Sequence, residues 1–276
     1  MKPLNKFLLS ALTFILVVCR LNAQNNQVDA DPKSIFSASV NYVSKLNYFG
    51  RVDSLKSSGM LTSIGYQHKS GLYAQSNFIF IQNAAQPLNY TGASLEGGYK
   101  FPQSKHFSGN LFFTDFLYKD NSVLVQSALH YQTGINLVVN NNIANINTGA
   151  DLKFSNDKTD LGISFGVDHI FLIKTANKKI VWAINPSAYT YWGTQNFSYS
   201  YLQKTSFLGI PTGSAPASAS YTRFNLLSYE FSAPVVLVAG KLNASFTPSF
   251  VAPENLIANE RGIQLFYCTI GIGIRL

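Results

Sequence analysis

Residues with hydrolytic potential are present but scattered. His68 and Ser70 flank Lys69, a spacing at which an imidazole could take the proton of a nearby hydroxyl. A working site also needs a group to orient the imidazole and donors for an oxyanion. Neither accompanies the pair, and His106, His130 and His169 fall no nearer to a triad. Asn140, Asn141 and Asn142 and the dispersed aspartates lack calcium-loop spacing. The terminal Gly271-Ile-Gly273-Ile stretch reads as small inward residues on a strand, which relieve crowding, and not as a phosphate loop. No catalytic, cofactor-binding or metal-binding residue is therefore expected. Seven charged residues do share a pattern: Glu96, Lys100, Asp151, Lys153, Asp168, Glu230 and Arg275 each lie on the polar register of an alternating segment.

Those segments carry the architecture. Twelve stretches alternate apolar and polar residues with the period of a strand. In order they are 34–44, 59–67, 72–81, 92–101, 110–118, 122–140, 144–154, 161–171, 179–189, 224–238, 241–250 and 265–276. In the last, Phe266, Cys268, Ile270, Ile272, Ile274 and Leu276 share one face, opposite Thr269, Gly271, Gly273 and Arg275. The eighth sets Leu161, Ile163, Phe165 and Val167 against Gly162, Ser164, Gly166 and Asp168. The fifth is apolar on both faces apart from Asp115, and Pro186 interrupts the ninth. In the sixth, His130 reads as mid-strand and inward between Gln126 and Gln132.

Composition says which face meets what. Charged residues are 12% of the 276-residue chain, about half the usual share, and aromatics are 14%. Mean hydropathy is only +0.07. After residue 23 no apolar run approaches the length of a transmembrane helix. The polar faces are built of Ser, Gly, Asn, Gln and Thr, whereas a soluble sandwich would present Lys and Glu to water. Tyr42, Tyr66, Tyr99, Tyr131 and Trp182 stand towards strand ends, as an interfacial girdle requires. The reading is an all-β, antiparallel up-and-down transmembrane barrel over 34–276 in the outer membrane of a Gram-negative bacterium. A lipid environment forces the sheet to close and sends the seven charges inward, where they either line a water-filled lumen or cross-link to close it. The alternative, a soluble barrel or sandwich, inverts the two faces.

Loop lengths set the topology. The odd connections near 45–57, 83–90, 193–220 and 252–263 read as long, those near 119–121 and 155–159 as short, and the even ones tend to be tight, so the rule is a tendency. Long loops belong outside the cell and short turns in the periplasm, which places both barrel ends in the periplasm. Ahead of the barrel, Lys2 and Lys6 precede an apolar stretch at 7–18 and a small residue, Ala23, so 1–23 reads as a cleaved signal peptide. Residues 24–33 form a short N-terminal segment. Acylation of Cys19 after "LVVC" is the rival reading of that region. Cleavage removes Lys2, Lys6 and Arg20, leaving 18 basic against 13 acidic residues, a net of +5. The charge is dispersed, so nucleic acid is not an expected partner. Cys268 then remains alone as a small apolar filler.

The signal ending "NAQ", the stretch "WAINPSAYTYWGTQNF" and "LSYEFSAPVVLVAGKLNASFTPSFVAPEN" resemble uncharacterised outer-membrane barrels of Bacteroidota. That resemblance implies a barrel fold and outer-membrane location, with no catalytic residues to carry over. The final strand resembles the signal read by the barrel-assembly machinery, although it ends on Leu276 where that signal most often has Phe. Outer-membrane lipid, lipopolysaccharide and the assembly machinery are the implied partners. "DSL" at 53–55 resembles a Bacteroidota O-glycosylation sequon in a surface loop. Three functions follow in order: a channel for a small solute, a non-conducting structural or surface-binding barrel, and a lipid-modifying enzyme of the kind some twelve-stranded barrels represent, with its site on the outer wall at the rim. An enzyme is not expected, since none of the four histidines is so placed.

Overall fold

A computed structural model describes residues 33–119, 122–155, 158–174, 180–198, 223–257 and 259–276. The signal segment, Cys19 and most of 193–220 lie outside the described residues. The strands are β1 (Ile35–Val43), β2 (Ser58–Gln67), β3 (Leu72–Asn83), β4 (Gln86–Lys100), β5 (Phe107–Tyr118), β6 (Leu129–Val139), β7 (Asn145–Ser155), β8 (Lys158–Asp168), β9 (Phe171–Lys174), β10 (Ile180–Ile184), β11 (Ser187–Gly193), β12 (Asn225–Ser232), β13 (Val235–Ala239), β14 (Leu242–Pro253) and β15 (Leu265–Arg275).

Three pairs of these are single barrel strands broken by an irregularity. β8 runs on into β9 past His169, β10 into β11 past Pro186, and β12 into β13 past Pro234. Proline donates no ladder hydrogen bond, so a break at Pro186 and Pro234 is the local consequence. Counted this way there are twelve antiparallel strands. Neighbours in sequence pair around the sheet, β12 pairs with β14, and β1 pairs with β15 from Ser37↔Arg275 to Val43↔Thr269, closing the ring.

The barrel is inside out relative to a soluble protein. Phe266 is 73% exposed and Ile272 65%, and exposed apolar side chains continue around the wall through Val40, Ile64, Leu95, Leu111, Phe165 and Phe246. The opposite register holds Ser, Asn, Gly and the seven charged residues named above. A closed sheet with that exterior has one stable solvent for its wall, the hydrocarbon of a bilayer. This is an outer-membrane barrel.

Three sequence expectations change. The connection expected to be long at 83–90 is a tight turn, because β3 and β4 stay paired as far as Asn83↔Gln86. The sixth strand begins at Leu129 and not at Ser122; residues 125–128 are a single 3-10 turn, with Val125 buried. His130 is not mid-strand. It sits at a register shift between Leu129 and Tyr131, at the loop end of β6, with its side chain exposed. The bulge re-aims the chain there, which a strict alternation does not foresee.

Candidate functional site: the lumen and its plug

Most of the apolar burial among the described residues sits at the loop end of the barrel, around the first loop, 44–57. That loop turns back into the mouth. Tyr48 and Arg51 exchange backbone hydrogen bonds of 2.8 and 3.0 Å around Phe49 and Gly50. Both central residues have positive φ, 54° at Phe49 and 75° at Gly50, the signature of a two-residue hairpin turn of the primed type. A bulky residue in that region is strained, by about 1–3 kcal/mol. Packing holds it: the Phe49 ring lies 5.0 Å from that of Tyr191 and 6.4 Å from Phe197, with the Lys153 ammonium 5.7 Å from its centroid. At Gly50 a Cβ would come within 2.7 Å of Pro253 Cδ, so glycine is needed for space as well as for φ.

The hairpin bridges opposite walls. Tyr48 and Phe49 pack against Val125, Leu129, Phe197 and Leu227. Leu46 packs with Ile79, Ile81 and Leu124, and Val52 with Val251 and Leu265. Arg51 locks the arrangement. It is wholly buried and pairs with Glu260 at 2.8 Å. It also donates to Gln195 Oε1 at 2.8 Å and to the carbonyls of Phe49, Leu227 and Glu254 at 3.1–3.4 Å. Glu260 accepts in addition from the Ser198 hydroxyl. Beside it, Asp160 at the loop end of β8 accepts from the backbone N–H groups of Asn196 and Phe197, both at 2.7 Å, and from Thr194 Oγ1. The first, fifth and sixth outer loops are thereby tied together.

The Tyr48 hydroxyl is the loose end: it is buried with no hydrogen-bond partner among the described residues. Burial pushes its ionisation well above the usual phenol range, and the carboxylates of Asp151 and Asp160 push the same way. Asp53, expected in an exposed loop, is buried; its carboxylate accepts from the backbone N–H of Leu55 and Ser57 and from the Ser57 hydroxyl.

Below the plug the seven charged residues lie on the register opposite the exposed apolar wall. Asp151 and Lys153 form an ion pair under Phe49. Glu96 accepts from Tyr73 Oη at 2.8 Å and from Thr114 Oγ1 at 3.2 Å. Glu230 accepts from Tyr267 Oη at 2.8 Å. Asp168 accepts from the carboxamides of Asn145 and Asn147. Lys100 is exposed at the short-turn end and donates to Gln67 Oε1 at 2.7 Å. Arg275 is exposed at the same end and its side chain has no hydrogen bond or ion pair among the described residues. Beside it, a cavity of about 330 Å³ opens on that end, lined by Ser37, Ser39, Asn41, Gln75, Asn243 and Arg275 among others.

Two features escaped the sequence reading. The plug was the first, although Leu46, Tyr48, Phe49 and Val52 give its loop an apolar density that a solvated loop lacks. Asp115 was the second. Its Cα partners, Leu95 and Tyr131, are both exposed on the wall, so its carboxylate shares the lipid-facing register. His68 and Ser70 do meet, at 2.9 Å, but in the exposed turn between β2 and β3, on the short-turn side.

No protein-family model matches the chain, and no curated protein matches it in sequence. Among solved structures it is similar to the KdgM porin, with 11% identity and a TM-score of 0.48 over 86% of this chain and 98% of that one. It is also similar to the NanC porin, with 7% identity and a TM-score of 0.49 over 87% and 100% of the two chains. A third is LpxR from Salmonella typhimurium, with 11% identity and a TM-score of 0.47 over 86% and 99%.

Proposed function

We propose that this barrel is a gated channel for small polar solutes, shut in the described conformation by the first loop. The carrying observation is the unequal filling of the lumen. At the loop end the inside is packed with apolar side chains around a buried arginine. At the other end it is lined by serine, asparagine, glutamine and glycine around an open cavity. A barrel needing only stability would be better served by side chains filling that cavity, since empty or water-filled space forfeits packing. The occlusion comes chiefly from one loop, and its tip carries backbone strain at Phe49 that release would relieve.

One observation favours a second reading, a permanently closed barrel: Arg51 has five partners and no exposed surface, more anchoring than a frequently opened gate requires. Planar-bilayer recording of the purified protein separates the two. The gated reading expects mostly silent membranes with discrete, voltage-promoted openings. A steady open-pore current would refute the plug. Silence up to the voltage at which the bilayer breaks would leave the closed barrel.

A further inference from the structure

Among the described side chains, the exposed charges of the short-turn rim are of one sign. Lys33, Lys69, Lys100, Lys105, Lys241 and Arg275 are all exposed there. The one carboxylate among the described side chains of that end, Asp168, is buried and taken up by Asn145 and Asn147. The carboxylates deeper in the lumen are likewise engaged: Asp151 by Lys153, Glu96 by Tyr73 and Thr114, Glu230 by Tyr267. A field of that sign, focused at the mouth of a low-dielectric cavity, concentrates anions.

The cavity behind the rim has matching chemistry. Arg275 is its cation, and its side chain has no partner among the described residues. Around it Ser37 faces Arg275 across the β1–β15 pair, Ser39 faces Gly273, and Asn243 faces the same Gly273 from β14. Gly65 and Gly273 also line it, leaving room for the Ser37 hydroxyl and the Asn243 carboxamide, and Asn41, Ser63 and Gln75 complete the wall. Carboxamides and hydroxyls both donate and accept, which suits hydroxyl groups, and a guanidinium suits a carboxylate or phosphate.

From this we infer that the periplasmic chamber is a binding site for a small, hydroxyl-rich organic anion, with Arg275 as the charge-reading residue and Asn243 and Asn41 among the groups that meet its hydroxyls. The inference deepens the channel reading by naming a substrate class. The chamber is present with the plug in place, so binding can be measured without conduction.

The test is calorimetric titration of the detergent-solubilised barrel with three six-carbon probes of similar size: gluconate, glucose and glucosamine. Gluconate should bind most tightly of the three. Arg275→Gln should weaken gluconate by about tenfold or more, the scale of a charge-assisted contact, and Arg275→Lys should recover part of the loss. Lys105→Gln, on the rim but outside the cavity, should change affinity by less than about threefold, as expected of a solvated surface charge. Glucose binding as tightly as gluconate would overturn the inference, as would an unchanged gluconate affinity in Arg275→Gln. A barrel silent in bilayers that still bound gluconate through Arg275 would remove the gate and leave this site standing.

Discussion

Replacing Arg51 by alanine is the sharpest perturbation of the closed mouth. The side chain is wholly buried, its guanidinium pairs with Glu260 at 2.8 Å, and it makes four further hydrogen bonds. Alanine leaves the Glu260 carboxylate buried with only Ser198 and the Ile257 N–H as donors. Removing one partner of a buried ion pair costs about 3–5 kcal/mol. That cost falls on the closed state, because an open loop would expose both groups to water. The closed-to-open ratio should then fall by roughly two to three and a half powers of ten, at 1.4 kcal/mol for each factor of ten. Bilayer recordings of Arg51→Ala should show open probability raised by at least about a hundredfold, with unit conductance matching the rare wild-type openings. Retained heat-modifiable migration on a gel would show that the barrel itself is intact. A folded Arg51→Ala barrel as silent as wild type would refute both the plug and its energetics.

Four further outcomes follow from the geometry. Ile272, 65% exposed on the wall, should not tolerate arginine: Ile272→Arg should cost about 2–4 kcal/mol if near the midplane and deplete the protease-resistant barrel in outer membranes, while Arg275→Gln accumulates normally. Asp115→Leu removes a carboxylate from the lipid-facing register and should raise stability by about 1 kcal/mol in reversible urea unfolding from lipid, a fraction of the cost of a basic residue there. Tyr48→Phe deletes a buried hydroxyl that has no partner among the described residues and should leave stability unchanged or improve it by up to about 1 kcal/mol. Cysteines at Leu161, Ile163 and Phe165 should react with a lipid-phase label, and cysteines at Gly162 and Ser164 should not; the reverse pattern would invert the barrel.

Period-two alternation made the wall legible because lipid and lumen demand opposite chemistry at successive residues. All twelve barrel strands could be placed from it, and the breaks at Pro186 and Pro234 follow from a missing backbone donor. The misread places are those where a third environment intervenes. Val123, Leu124 and Val125 look like a strand because they are apolar, yet Leu124 and Val125 are buried against the plug and neither touches lipid. His130 reads as mid-strand on paper because a bulge leaves no mark in the pattern. At 83–90, polar residues suggested a long loop, but backbone pairing holds side chains of either kind where the strands outrun the membrane. Asp115 reads as one polar residue in an apolar run, and only its cross-strand partners reveal the face. Nothing in the alternation speaks of the plug, since Arg51 meets its partners through tertiary packing alone.

The chain positions of those partners set an order of events. Arg51 belongs to the first outer loop, and what it grips comes late: Gln195 is 144 residues further on, Leu227 176 and Glu260 209. Contacts at such separations close last, after the loop entropy between them has been met by the intervening strands. The hairpin can meet Ile79, Leu129 and Tyr191 earlier, but Arg51 has no Glu260 to pair with until the last part of the chain has arrived. The Arg51 lock is thus expected to form late in assembly, close to the closing of the ring. A chain stalled short of its last strands would thus lack the lock of its mouth as well as the closure of its wall.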